Sequence, residues 1–253
     1  MRAPPRDILP DSTLALAWDG YEFISKRRQH YGSDAFACRI MMRRAICIGG
    51  PDAARAFYDT HSFRRAGVAP SRIKRTLLGE NGIHGLDAER HRHRKAMFLE
   101  LLGPHQVQPF RRILLQQWMK RAHAWAGKTG LALFGELERM LFCAMCEWAG
   151  IPLDDTDIKR RADDLTSMVD GFGGILWRNW RGRFARRRSE RWMAGILDAA
   201  RNGSIETRHG SALERIAAFR EVDGRELPKQ TAVTELLNIV RPIMAVPYFA
   251  ELA

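Results

Sequence analysis

The sequence predicts a mainly α-helical fold with a small N-terminal β-sheet. Three observations lead there. From about residue 88 onward, apolar residues recur at i+3 or i+4 in one stripe after another. Residues 36–48 read instead as two short β-rich runs. Apolar residues make up 45% and charged residues 28% of the 253 positions, a core-forming composition rather than a disordered one. The whole chain, 1–253, reads as a single domain.

The first ten residues hold three prolines and no periodicity, so they read as an irregular arm. Tyr21 to Tyr31 is helical, with Tyr21, Ile24 and Tyr31 near one face and Lys26, Arg27 and Arg28 on the other. Phe36–Met41 and Ala45–Ile48 form a hairpin whose turn falls around Met42, Arg43 and Arg44, without the usual Gly or Asn. Gly49-Gly50-Pro51-Asp52 ends the sheet and starts a short helix through Tyr58. Phe110, Leu114, Trp118, Ala122 and Trp125 mark a long helix closed by Gly127. Leu133, Leu137, Leu141, Ala144 and Trp148 mark the next, closed by Gly150 and Pro152. Asp154 to Asp157 offers an N-cap for a helix running to about Phe172. Gly171–Gly174 reads as a break, residues 177–183 as a basic, aromatic connector, and 185–202 as another helix. The last helix starts near Pro228 and is expected to run on to Ala253. It is apolar on most sides, as helices inside a larger core are, so the chain is expected to be an N-terminal portion of something bigger.

Lys plus Arg is 41 and Asp plus Glu is 29, giving a net charge of +12 and a pI near 10.2. Such a surface suits nucleic acid, anionic lipid or an acidic small molecule, or a basic half of a larger protein. Four cysteines are too few for a disulfide scaffold, and MRAPPRDILP lacks the apolar core of a signal peptide. No stretch reaches the ~18 apolar residues of a membrane helix. A reduced, cytoplasmic compartment is the expectation.

Three constellations carry chemistry. In GIHGLDAERHRHRK, residues 82–95, three imidazoles would suffice for a metal. However, His91 and His93 are two apart, about 200° around a helix. Such a run also suits a solvated basic helix end, or an anion clamp from His91 and Lys95, which are i and i+4. Cys143-Ala144-Met145-Cys146 lies in an apolar helix with no redox or zinc context, and Cys38 and Cys47 lie in opposite hairpin strands; all four read as packing. Arg241-Pro242 places a guanidinium inside an apolar helix, where it must be paired. Proline beside it removes a backbone donor and frees the carbonyl near residue 238. A ligand carboxylate and an intramolecular salt bridge both satisfy this arginine. Basic patches at Arg64-Arg65 and Arg186 to Arg188 raise nucleic acid, but no helix-turn-helix, RNA-recognition or zinc-finger pattern accompanies them.

GYEFI, ICIGG, AFYDT, GIHGLDAERHRHRKAMFL, EWAGIPL, RADDLTSMVDGFG and ELLNIVRPIMAVPYF, in that order, resemble the N-terminal part of the fatty-acid peroxygenases. These are cytochrome P450 relatives that use hydrogen peroxide on long-chain fatty acids. The likeness runs from about residue 12 to 250, and its most specific element is the Arg-Pro pair, where most P450s carry an acid and an alcohol. The resemblance implies a partial cytochrome P450 fold, truncated in the long central helix at 230–253, which in the family crosses over the heme.

It further implies heme b as cofactor, a fatty acid and H2O2 as partners, no nucleic acid, no membrane span and no redox-partner protein. Arg241 would hold the substrate carboxylate over the iron as the acid–base group, with Pro242 shaping the helix. Leu77, Leu78, Val169 and Phe172 match apolar tunnel positions. His84 matches a position that is Gln in hydroxylating members and His in those that decarboxylate to terminal alkenes. His91 and Lys95 stand where P450s carry His-x-x-x-Arg beside the heme propionates; lysine keeps the charge and loses the bidentate fork. The cysteine loop that ligates the iron and the Glu-x-x-Arg helix before it are absent, so the chain is not expected to assemble a heme-thiolate site alone. A basic helical protein binding an anionic ligand or nucleic acid is the alternative.

Overall fold

The computed structural model describes residues 3–59, 62–127, 129–173 and 177–251. Backbone contacts group the chain into two units, 1–64 and 65–253.

In the first unit, α1 (Thr13–Asp19) leads through a 3-10 turn, Gly20–Glu22, into α2 (Phe23–Tyr31). Strands β1 (Ala35–Ile40) and β2 (Arg43–Ile48) pair antiparallel, Ala35 opposite Ile48 and Ile40 opposite Arg43. Helix α3 (Pro51–Phe57) follows. The hairpin turn is Met41-Met42, one residue earlier than the pattern suggested, with φ of 52° and 62°. Two positive φ values match the twist of a two-residue hairpin, which is why Asn-Gly is usual there. Here the two turn N–H groups are caught from outside, Met41 by Thr13 Oγ1 at 2.6 Å and Met42 by Asp11 Oδ2 at 2.7 Å. The proline-rich arm is also pinned, since Ala37 donates to Pro5 O and Asp7 donates to Ala37 O, both at 2.8 Å. Phe23 and Phe36 form the buried centre. The Arg27 guanidinium lies 3.9 Å from the Phe23 ring centre and reaches Asp7 and Asp19 at 2.8 and 2.9 Å.

The second unit is helical. A short turn, α4 (Ser71–Ile73), widens into a π-turn at Lys74–Leu78, and a 3-10 turn, Ile83–Gly85, precedes α5 (Ala88–Leu101). Then come α6 (Pro104–Trp125), α7 (Leu133–Ala149), α8 (Ile158–Gly173), α9 (Trp177–Arg201), α10 (Ala212–Ala218) and α11 (Lys229–Val240). Phe142 and Cys146 of α7, Leu165 and Met168 of α8, Met193 and Leu197 of α9, Leu213 and Ile216 of α10, and Leu236 and Leu237 of α11 share one core, each fully buried.

The stretch 177–183 is no connector; it is the first part of α9. Glycine is there for packing and not for a turn. A Cβ on Gly182 would lie 2.8 Å from Ser167 O and 3.1 Å from Gly171 Cα, and one on Gly171 would lie 2.9 Å from Arg178 O. The two helices therefore cross backbone to backbone. Asn179 secures the crossing by donating to Gly171 O and Thr76 Oγ1, both at 3.0 Å. Gly171 accordingly lies inside α8; Gly174, the end of the expected break, falls outside the described residues. Gly182→Ala is expected to destabilise the protein by about 1–3 kcal/mol, the usual cost of overpacking a tight contact. Urea unfolding midpoints check this, and an unchanged midpoint contradicts it.

The last helix is not continuous either. At Arg241 it tightens into a 3-10 segment, Arg241–Ala245, before α12 (Val246–Glu251). Pro242 has no N–H to give Asn238 O, so the α-helical ladder stops there. Pro247 sits at the start of α12, where a missing N–H is tolerated. Among the described residues, no helix is long and apolar enough to cross a membrane.

Candidate functional site

Two separate elements converge on a single backbone oxygen. Leu77 O lies at the end of the π-turn, just before Gly79, whose φ is +82°. Arg186 of α9 donates to it from Nη1 at 2.6 Å, and Arg241 at the end of α11 donates to it as well. Both arginines are buried, 3% and 6% exposed. Arg186 has a carboxylate partner, Glu190, at 2.7 Å. Arg241 has none among the described residues; its second contact is the neutral amide oxygen of Asn238 at 3.4 Å. Burial, and then the Arg186 charge, bring the Arg241 pKa down to about 10.

From Arg241 the hydrogen bonds continue inward. Asn238 Nδ2 donates to Glu235 Oε2 at 3.0 Å. The other Glu235 oxygen accepts from Arg94 Nη1 at 3.0 Å and from the Ile83 N–H at 2.7 Å. Arg94 also holds Asn81 O at 2.8 Å and pairs with Glu221. Glu235 and Arg94 are 0% and 1% exposed at the side chain. Burial pushes the Glu235 carboxyl above the usual carboxylate range, against the pull of Asn238 and Arg94. This network fixes the loop carrying His84.

That loop walls a cavity of about 520 Å³, whose lining includes Leu78, Gly79, Gly82, His84, Arg94 and Thr231. His84 is solvent-exposed at its edge, yet neighbouring protein strips part of its hydration, and the Arg241 charge adds to the effect, so its pKa falls below the usual histidine value. His91 is half-buried, and its pKa is lowered by desolvation and then by the Arg65 and Lys95 charges. His93 is engaged elsewhere: its Nε2 lies 2.8 Å from Arg220 O and its ring 5.0 Å from that of Phe219. Among the described residues, no group of three or more His, Cys, Asp or Glu is arranged to hold a metal ion.

Of the apolar tunnel positions, Leu77 and Leu78 are half-buried at the arginine pair and the cavity. Val169 packs against the main core, and Phe172 is 44% exposed at the end of α8. Pro242 is exposed. Arg94, Glu221, Glu235 and Asn238 were not singled out from sequence, and Arg186, read there as part of a basic surface patch, is instead buried. Glu235 with Asn238, and Asn238 with Arg241, were legible as polar neighbours three apart in a largely apolar segment.

No family model matches the chain. Solved structures do. Cytochrome P450SP alpha (CYP152B1), solved with (R)-ibuprophen, is 38% identical, with a TM-score of 0.91 over 94% of this chain and 59% of that one. Cytochrome P450EX alpha (CYP152N1), solved with myristic acid, is 29% identical, with a TM-score of 0.93 over 98% of this chain and 59% of that one. The chain belongs to the CYP152 cytochromes P450. A variant of cytochrome P450 OleT, in complex with arachidonic acid, is 26% identical, with a TM-score of 0.93 over 98% of this chain and 60% of that one. This CYP152 chain thus has a partial cytochrome P450 fold and spans about three-fifths of the length of the structures it matches.

Cytochromes P450 hold heme iron by a cysteine thiolate. The four cysteines of this CYP152 chain do not fit that role. Cys38 and Cys47 face each other at 3.8 Å across the hairpin, and Cys143 and Cys146 lie in the α7 core. Burial pushes all four thiols up, Cys38 to about 12 and the fully enclosed Cys146 well above its ordinary value. The described residues supply no thiolate, and no chemistry is assigned to this chain through the iron. What they do supply is a pair of buried guanidiniums with one carboxylate between them.

Proposed function

We propose that the whole protein is a hydrogen-peroxide-dependent fatty-acid oxygenase carrying heme b, and that this chain contributes its carboxylate-binding side. The observation that carries the reading is Arg241: a guanidinium 6% exposed, with no acidic partner among the described residues. A buried charge left without a counter-ion is costly, and a fatty-acid carboxylate is the anion that both removes this cost and matches the planar fork of arginine. The solved relatives hold myristic acid, arachidonic acid and (R)-ibuprophen, all of them carboxylic acids.

In this reading Arg241 fixes the plane of the carboxylate, and a carboxylate oxygen exchanges a proton with hydrogen peroxide as the general acid–base. No electron-donating partner protein is then required. Pro242 ends the α-helical ladder at that point and adds no competing acid. Leu77 and Leu78 wall the first carbons of the acyl chain, with Val169 and Phe172 continuing the apolar wall along α8. Holding the carboxylate sets which carbon meets the oxidant, the α or β position, since reach is fixed from the head end. His84, whose pKa burial and then the Arg241 charge lower, stands at the same end and biases the outcome between hydroxylation and decarboxylation. His91 and Lys95 would face the heme propionates. Bound heme would supply the oxidising power.

With heme and peroxide supplied, the whole protein, of which this chain is a part, is expected to oxidise myristic acid about 10²–10⁴ times faster than methyl myristate, because the ester lacks the acid–base group. Adding a short free carboxylic acid should restore oxidation of the ester. Product analysis by gas chromatography checks both, and equal rates on acid and ester without the additive contradict the reading.

A further inference from the structure

We propose that Arg186 is a positioning residue for the carboxylate site, holding Arg241 in register through the Leu77 carbonyl that they share. The proposal rests on the carboxylate reading of Arg241. A carbonyl oxygen has two lone pairs. On Leu77 O one is taken by Arg186 Nη1 at 2.6 Å and the other by Arg241 Nη1. The same oxygen belongs to the π-turn that presents Leu77 and Leu78. Arg186 thus anchors both the backbone to which Arg241 is tied and the start of the apolar wall.

Two features make this more than ordinary packing. Arg186 is 3% exposed, and its Nη2 is buried without a hydrogen-bond partner among the described residues. An apolar side chain of similar volume would fill the space at lower cost, so what distinguishes arginine here is its grip on Leu77 O. The chain also makes room for it. A Cβ on Gly79 would lie 2.3 Å from Arg186 Nη2 and 2.5 Å from Thr234 Cγ2. Glu190 keeps Arg186 in place from the other side through Nε at 2.7 Å. Glu190 answers one positive charge, and a ligand carboxylate answers the second.

The test is the preference for an acid over the matching alcohol, read as the ratio of dissociation constants for tetradecanol and myristic acid by calorimetry on the purified protein. A merely structural residue moves both constants together; a positioning residue moves only that for the acid. Arg186→Met should lower the ratio by about tenfold or more, the scale of a charge-assisted hydrogen bond that loses its alignment, with the tetradecanol constant unchanged. Arg186→Gln, which keeps a donor for Leu77 O, should restore much of the ratio. Arg186→Lys, which keeps the charge but not the fork that reaches both Glu190 and Leu77 O, should lower the ratio too, and it decides the matter should the methionine variant not fold. A ratio unchanged in Arg186→Met or Arg186→Lys, or a parallel loss of both ligands, overturns the proposal. Arg241→Ala run alongside separates the two readings. If it abolishes the preference while Arg186→Met keeps it, only the role of Arg186 falls. If Arg241→Ala keeps the preference, both fall.

Discussion

In the whole protein, Arg241→Ala is expected to remove nearly all peroxide-dependent oxidation of fatty acids while leaving the fold intact. Two losses act in the same direction. Removing one partner of a buried, hydrogen-bonded charge pair costs roughly 2–5 kcal/mol of binding. Misplacing the general acid–base costs a further ~10²–10⁴ in rate. The fall should therefore appear in kcat/KM, larger than in either constant alone. Stability should change little or improve, because Arg241 is a buried cation with no acid partner among the described residues and its removal leaves no buried carboxylate stranded. Arg241→Lys should recover only part of the activity, since an ammonium is a point charge and does not fix the carboxylate plane. Steady-state kinetics with myristic acid, together with a thermal melt of each variant, make the check. Near-normal turnover in Arg241→Ala, or activity lost in parallel with the melting temperature, would show a structural residue.

The opposite pattern is expected one and a half turns earlier on the same helix. Arg94 and Glu235 are paired at 3.0 Å and almost wholly buried. Arg94→Met leaves Glu235 in the core without its cation, and breaking such a pair from one side costs about 3–5 kcal/mol. Glu235→Leu strands Arg94 less severely, because Glu221 still faces it. Replacing both together should be far milder than the sum of the two, since an apolar pair of similar volume is often as stable as a buried ion pair. Guanidinium unfolding of the two single variants and the double variant closes this cycle. Additive losses would mean that the two side chains do not depend on each other. The Ile83 N–H bond to Glu235 ties this stability to the loop carrying His84, so the Arg94 variant should also bind the acid more weakly.

Much of this was legible in the residues, and the gaps have physical reasons. The helical stripes of α6, α7 and α8 and the hairpin were visible because each is a local periodicity. The turn position was off by one because its stabilisers, Asp11 and Thr13, lie far back along the chain. The first part of α9 was read as a connector because Trp, Arg and Gly182 together resemble a loop. Its glycine serves a helix crossing that exists only once α8 is in place. Helix α10 was missed although its start is capped, with Ser211 Oγ accepting from the Glu214 N–H and Glu214 Oε2 from the Gly210 N–H. Arg241-Pro242 was visible as a charge in an apolar helix. What it meets was not: Leu77 O and Arg186 arrive from 164 and 55 positions away along the chain. Arg94 stood in a run of six basic and imidazole side chains, Arg90 to Lys95, and nothing local marked it as the buried one.

The most direct test of Arg241 as the carboxylate site is a crystal structure of the protein with myristic acid bound. Carboxylate oxygens within about 2.7–2.9 Å of the Arg241 guanidinium, the range of a charge-assisted hydrogen bond, are the expected result, with the acyl chain running past Leu77 and Leu78. A carboxylate found instead among Arg65, Arg90 and Arg94, with Arg241 still bonded only to Leu77 O and Asn238, would contradict it.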